Sequence, residues 1–328
     1  MQLLTQQLVH FDDLPPLDPN SIEAQIGNTP LLDLSAFAHA HGVSPAVEVR
    51  AKAEWFNPSG SVKARPALNI IRNAEYDGRL QTGMTLIDST SGNTGIAYAM
   101  LGAARGFNVK LVIPASVSPE RIKILRAYGA QLILTDPEDG ADGAMLEVRA
   151  LAAADDSLFY ANQYDNPANW QAHYWTTAPE IWRQTGGRIT HFVTGLGTSG
   201  TFTGTTRRLR EFDREIVTIA ALPDSPVNKV EGWKHMPTAI NPRIYDPYLA
   251  DETIQVTANN SRQMAKALAR EIGLFVSPSA GGAITSAIQV ARELDEGVVV
   301  TVMADNAYKY LSEGFWGGVA ELRGCGVG

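Results

Sequence analysis

Three short segments combine residue types that can do chemistry. In NPSGSVKARPA (57–67), Pro58 and Gly60 suit a tight turn, and Lys63 stands at the start of an expected helix, ARPALNIIRNA. The positive end of a helix disfavours an ammonium group. That favours the neutral amine, which attacks carbonyls to form an imine. The plain alternative is a surface lysine after a loop. In STSGNTG (89–95), small hydroxyls and glycines sit at a strand-to-helix turn. Such a turn presents amides and a helix dipole to a carboxylate or phosphate. Its alternative is a helix cap, with Asn93 or Thr94 tied to local backbone. In GLGTSGTFTG (195–204), Gly195, Gly197 and Gly200 permit close backbone approach, while Thr198, Ser199 and Thr201 supply hydroxyls. This loop can cradle a phosphate without a basic residue. It lacks the Gly-Lys-Ser/Thr of a nucleotide-binding P-loop, and a bare G-x-G is a weak dinucleotide signal.

A lysine for an imine, an anion loop and a lysine-free phosphate cup are together the parts a pyridoxal phosphate enzyme needs. Elements to position them are legible. MTLIDST (84–90), NVKLVIPA (108–115), AQLILTD (130–136), ITHFVTG (189–195), IVTIAALP (216–223) and VVVTVMA (298–304) read as buried strands. Between them, IAYAMLGAARGF (96–107), SPERIKILRAYG (118–129), SRQMAKALAREIG (261–273) and AITSAIQVAREL (283–294) have helical spacing. Ser118 suits an N-cap and Gly129 a C-terminal stop. Apolar strands alternating with helices predict an α/β fold, with parallel sheets covered on both faces. Ligands of such sheets bind at the strand C-termini, and the three segments follow or border predicted strands.

With 328 residues the chain is long enough for two domains. Its net charge of −8 argues against a general nucleic-acid binder. Cys325 is the sole cysteine, so no internal disulfide or cysteine-rich zinc site can form, and a reducing, cytoplasmic compartment is expected. The N-terminus carries Asp12 and Asp13 and does not read as a signal peptide, and no apolar run is long enough for a membrane helix. His173 and His191 fall on different elements without partner ligands, so hydrogen-bonded histidines are expected rather than a metal site.

From IGNTPLLDL (26–34) to YKYLS (308–312) the chain resembles the cysteine synthase branch of the tryptophan-synthase-β (fold type II) family of pyridoxal phosphate enzymes. NPSGSVK, STSGNTGIA, NQYDNPAN (162–169), HYWTTAPEIWRQTGGRITHFV (173–193) and GTSGT carry the likeness. The His173–Val193 stretch is most similar to the B-type synthases. The resemblance implies two parallel-sheet domains with the cofactor at their junction. Residues 1–44 would be an arm and strand segment packed on the large domain, 45–165 a smaller mobile domain, and 166–328 the large domain with the phosphate loop. It also implies a homodimer, and a serine acetyltransferase as partner.

Residue by residue, the resemblance makes Lys63 the Schiff-base lysine and Asn93 the partner of the cofactor's ring hydroxyl. Gly197, Thr198, Ser199, Gly200 and Thr201 match the phosphate cup. Thr90, Ser91, Gly92 and Thr94 match the loop on the substrate carboxylate, with Gln163 as second anchor. Ser279, in SPSAGGA (277–283), matches the serine facing the pyridine nitrogen. A neutral hydroxyl there cannot keep the ring protonated as a carboxylate would. Long-lived carbanion chemistry is thereby disfavoured, and β-elimination remains accessible. The alternative for Ser279 is an N-cap on the following helix.

The implied reaction forms L-cysteine from O-acetyl-L-serine and sulfide through an external aldimine and an aminoacrylate, with Lys63 as general base. Two features depart from the family pattern. Ala64 stands where an aspartate usually precedes the arginine matched by Arg65. The segment 224–247 is atypical; its Lys229, Lys234, His235 and Arg243 could recognise an anion or be solvated charges. O-phosphoserine, thiosulfate or an amine nucleophile therefore stay open as alternatives, as does a catalytically silent regulator that binds serine acetyltransferase.

Overall fold

The computed structural model describes residues 13–90, 92–227 and 230–317. Ser91, Lys229 and Cys325 lie outside the described residues.

Two sheets carry the chain. One has six strands in the order β1 (Leu31–Asp33), β2 (Val47–Ala53), β10 (Gly297–Met303), β7 (His191–Gly195), β8 (Val217–Pro223) and β9 (Glu252–Val256). Only β1 runs antiparallel to its neighbour; all other pairs are parallel. In register, Thr301 of β10 sits between Ala51 of β2 and Val193 of β7. The second sheet is wholly parallel, in the order β5 (Gln131–Thr135), β4 (Asn108–Pro114), β3 (Thr85–Ser89) and β6 (Leu158–Tyr160).

Alternation along the strands sends successive side chains to opposite faces. In the smaller sheet, Leu86, Leu111 and Ile113 pack with helices α2 (Ala64–Tyr76) and α3 (Asn93–Arg105). Ile87 and Val112 pack instead with α5 (Gly140–Ala154). In the larger sheet, Val299, Val193 and Ile219 meet α1 (Ser35–Ala40), α9 (Ala258–Ile272) and α10 (Pro278–Arg292). Val300, Phe192 and Ala220 meet α7 (Ala178–Gln184) and α8 (Gly200–Phe212). Where helices cover both faces the inner strands read as near-continuous apolar runs, and β10 (GVVVTVM) is buried from its second residue onward. The remaining helices, α4 (Pro119–Ala127) and α6 (Pro167–Ala172), lie beside the loops described below, and α6 passes into a π-helical turn, His173–Thr177. Among the described residues no helix is long and apolar enough to cross a membrane.

The structure departs from the expected domain boundaries in two places. Strand β2, beyond the boundary at 45, pairs with β10 in the large sheet along its whole length. Conversely, Leu17 and Ile26 of the N-terminal segment pack on the α2/α3 core, while Leu34 and Phe37 join the core of the large sheet. Local polar contacts account for the first half of that path: Arg72 donates to the Pro15 carbonyl at 2.7 Å, and Arg105 pairs with Glu23. Two expected caps also differ. Ser118 precedes α4, but its hydroxyl donates to the Lys309 carbonyl at 2.9 Å. Ser277, not Ser279, caps α10 by accepting from the Ala280 amide.

Candidate active site

The three segments singled out from sequence emerge at strand C-termini and meet in one place. Thr90 follows β3, Gly197–Thr201 follow β7, and the Lys63 turn is bridged to the end of β10 through Ser61 and Asp305. The Val62 amide donates to the Ala304 carbonyl at 2.9 Å, and Gly60 adopts the left-handed conformation (φ 72°) that the turn requires. Lys63 is then the N-cap residue of α2.

Two residues on, Arg65 anchors that helix in a buried charge network. Its guanidinium reaches Glu54 at 2.8 Å and Glu180 at 2.7 Å, and Lys52 pairs with Glu180 at 2.6 Å. Burial alone would raise the Glu54 carboxyl, but Arg65 brings it down to about 2. The network joins β2, α2 and α7, and so fixes where Lys63 begins its helix. Ala64 itself is fully buried at the head of α2, a position with no room for solvated charge.

A cavity of about 420 Å³ is lined by Lys63, Thr90, Asn93, Thr94, Gln163, Gly197 and Thr198. A deeper chamber of about 60 Å³ shares Lys63, Asn93, Gly197 and Thr198 with it, and adds Ser199, Gly200, Thr201 and Ser279. The described candidate residues thus share one site, Gly92 standing at its edge as the N-cap of α3. A larger hollow of about 670 Å³, between the Leu14–Pro19 segment and Trp175, contains none of them.

Burial lowers the affinity of the Lys63 amine for a proton; Asp305 and Glu54 oppose this, and Lys309 adds to it. A lowered proton affinity is the direction that nucleophilic or general-base work by an amine needs. The cup is shaped by close approaches. A Cβ on Gly197 would lie 2.4 Å from the Gly232 carbonyl oxygen, and one on Gly200 would lie 2.0 Å from Asn169 Oδ1. Ser199 has a left-handed backbone (φ 68°) at the N-cap of α8 and makes no side-chain cap, so the start of that helix opens onto the chamber. Unpaired amides at a helix N-terminus suit a phosphate. Asn169 ties cup to anchor: its amide donates to Thr198 Oγ1 at 3.1 Å and to the Gln163 carbonyl at 2.6 Å. His173 binds Thr177 through Nδ1 at 2.8 Å and faces Thr201 Oγ1 at 3.3 Å through Nε2. Burial, with Arg65 nearby, pushes its pKa down to about 3, so the ring is neutral. His191, on β7, bonds to Thr190.

The alternative of Asn93 or Thr94 as a local cap is set aside by their partners. The Asn93 amide donates to Asp305 Oδ2 at 2.9 Å, and Thr94 donates to Gln163 Oε1 at 2.7 Å. It is Thr90 that takes the local role, accepting from the Gly92 and Gly95 amides. Ser279 Oγ lies 3.1 Å from Ser277 Oγ, a neutral pair at the chamber wall.

A profile of the family described as pyridoxal-phosphate dependent enzyme matches residues 22–305. The chain belongs to that family. Among its pyridoxal-phosphate dependent relatives, the chain is 47% identical over 292 residues to a cysteine synthase of Aquifex aeolicus, covering 88% of this chain and 89% of the relative. It is 41% identical over 308 residues to cysteine synthase B of Salmonella typhimurium, covering 94% and 100%. The crystal structure of a cysteine synthase from Entamoeba histolytica superposes with a TM-score of 0.85 at 34% identity, covering 92% of each chain. The architecture is therefore the fold type II one, and the cofactor is pyridoxal 5'-phosphate.

The site also contains residues that sequence reasoning assigned no role. Asp305, Tyr310, Trp233, Arg121 and Glu231 all line or adjoin the cavity. The rule that strand C-termini carry ligands points to Asp305, two residues past β10. The segment 224–247 does reach the mouth, where Lys234 pairs with Asp142 at 2.8 Å and His235 Nδ1 bonds to Thr238; Arg243 does not line the cavity, and its backbone amide donates to Asp165.

Proposed function

We propose that the protein is a cysteine synthase, forming L-cysteine from O-acetyl-L-serine and sulfide by β-replacement. The observation that carries this is a single one: the buried Lys63 amine, its proton affinity lowered by burial, shares a cavity with the glycine cup at the start of α8 and with the Thr94–Gln163 pair. The names and extent of the relatives support it.

The residues fit the cofactor. Lys63 would hold it covalently, Gly197–Thr201 would receive its phosphate, Asn93 would donate to its ring hydroxyl, and Ser279 would stand by its ring nitrogen. When bound, pyridoxal phosphate supplies an electron-accepting ring that labilises the α-proton and β-substituent of an amino acid. Thr90, Gly92, Thr94 and Gln163 would hold the substrate carboxylate. The freed Lys63 amine would take the proton from the substrate α-carbon and return it after the β-substituent has been replaced. The Ser279 hydroxyl carries no charge to sustain a protonated ring, which favours elimination over transamination or racemisation.

The protein acts as a homodimer in the cytoplasm, with serine acetyltransferase as the partner that the resemblance implies; the sole cysteine fits a reducing compartment. A silent regulator is disfavoured, because Lys63 and its cavity are assembled for catalysis.

Visible absorption of the purified, cofactor-loaded protein tests the reading. A band in the visible range is expected, replaced on adding O-acetylserine and restored by sulfide. Absence of the band after incubation with pyridoxal phosphate overturns the Lys63 assignment. A band that O-acetylserine leaves unchanged overturns the donor.

A further inference from the structure

Beneath Asn93 lies an ion pair that the proposed reaction does not yet use. Lys309 is buried, and its ammonium donates to Asn93 Oδ1 at 2.6 Å and to the Gly60 carbonyl at 2.9 Å. It also pairs with Asp305 Oδ2 at 3.3 Å. That oxygen accepts from Asn93 Nδ2 at 2.9 Å and from the Tyr310 hydroxyl at 2.9 Å. Asp305 Oδ1 is buried with no hydrogen-bond partner among the described residues. A bare buried carboxylate oxygen costs stability, so its retention calls for a reason.

An ammonium can only donate and a carboxylate can only accept. Lys309 must therefore face the oxygen of the Asn93 amide, and Asp305 its nitrogen. The amide cannot flip without setting two like dipoles against two buried charges. One N–H of Asn93 is spent on Asp305, and the other remains for the cavity that Asn93 lines. Both ends of the clamp come from the segment after β10, which also bridges to the Lys63 turn at Ser61.

We propose that Asp305 and Lys309 are positioning residues of the reaction: a buried ion pair that clamps the Asn93 amide so that its free N–H is presented to the cofactor's ring hydroxyl. The proposal rests on the reading of the site as a pyridoxal phosphate site. The same pair sets the field at Lys63. After burial, the charges acting on the Lys63 amine are Asp305 and Glu54, which favour its cation, and Lys309, which opposes it. Around Lys309 itself, burial lowers its pKa, Asp305 opposes this, and Arg121 adds to it.

The test uses the loaded enzyme without substrate. The visible band of the Lys63-linked cofactor is titrated with pH in wild type, Asp305→Asn and Lys309→Met. Asp305→Asn keeps the shape and removes the negative charge, so the midpoint falls by about one unit. Lys309→Met removes the positive charge, so the midpoint rises. A purely structural pair would lower thermal stability in both variants without this opposed movement. The double variant Asp305→Asn/Lys309→Met leaves no unpaired buried charge and serves where a single variant fails to fold. With the clamp gone, it releases pyridoxal phosphate roughly tenfold faster, which is about 1.4 kcal/mol of holding energy. Midpoints that stay at the wild-type value, or a double variant with unchanged cofactor release, overturn the clamp. A wild-type protein with no visible band overturns the cofactor site itself, so the two failures are distinct.

Discussion

The Thr94 hydroxyl donates to Gln163 Oε1 at 2.7 Å, joining the first turn of α3 to the turn after β6. Gln163 is held at its other atoms too: Nε2 donates to the Ser89 carbonyl at 2.6 Å, and its amide donates to Asp88 Oδ2 at 3.1 Å. Two segments from either side of β3 thus become one wall of the cavity, the one that the proposed function assigns to the substrate carboxylate. Replacing Gln163 with Ala strands buried partners, at about 1–3 kcal/mol. Steady-state kinetics should show KM for O-acetylserine raised roughly tenfold or more, with a smaller effect on KM for sulfide. An unchanged donor KM would remove Gln163 from the substrate site.

Lys63→Ala removes the residue that the proposed function makes both the covalent anchor and the base. General-base catalysis alone contributes about 10²–10⁴-fold, so kcat should fall at least a hundredfold. The visible band should disappear while the cup still binds pyridoxal phosphate noncovalently, which equilibrium dialysis measures. Retention of the band would place the linkage on another lysine.

The strands and the chemistry loops were legible because both depend on local pattern. The apolar runs of β3, β4, β7, β8 and β10 announce burial on two faces, and glycine-rich turns at their ends announce the site. What stayed hidden depends on contacts distant in sequence. Strand β2 joins the large sheet because β10, some 250 residues on, offers it seven paired positions, Gly297–Met303 against Val47–Ala53. The helix cap at Ser277 rather than Ser279 turns on one proline, Pro278, at the first helical position. Lys234 could be read as an anion receptor or as a solvated charge, because its partner Asp142 arrives from α5, distant in sequence. Asp305 and Lys309 carry no motif of their own, and only the approach of Asn93 gives them meaning.

Acid should act on stability through His173. Its pKa falls from 6.5 to about 3 on folding. Between those values the unfolded chain binds the proton and the native one does not, so the native state weakens as pH falls below about 6.5. The slope reaches about 1.4 kcal/mol per pH unit for one such group. Glu54 adds to this below its unfolded value, since its folded pKa of about 2 makes its contribution disappear as pH drops from 4.5. Denaturant midpoints for wild type and His173→Asn, measured from pH 7 to 4, should differ in slope, with the variant flatter between pH 6.5 and 5. Parallel profiles would mean that His173 is not buried neutral.

The charges at the mouth of the cavity should disfavour anionic donors. Arg121 pairs with Glu231 at 2.8 Å and Lys234 with Asp142 at 2.8 Å, so two cations at the entrance each face a carboxylate. Glu138, Asp139 and Glu313 line the same entrance and leave it acidic. Burial and Glu231 raise the Glu313 pKa, as expected where negative charge accumulates. O-phosphoserine brings a doubly charged leaving group into that field, whereas the acetyl group of O-acetylserine is neutral. The ratio of kcat/KM should therefore favour O-acetylserine, and rising salt should narrow the gap by screening the entrance. Asp142→Asn leaves Lys234 without its carboxylate, 4.9 Å from the Tyr164 ring centre. A partly exposed charge pair is worth up to about 1 kcal/mol, so kcat/KM for O-phosphoserine should rise about fivefold in that variant, with little change for O-acetylserine. An equal change for both donors would show that Asp142 shapes the loop rather than its charge, and a wild-type preference for O-phosphoserine would reverse the argument from the entrance.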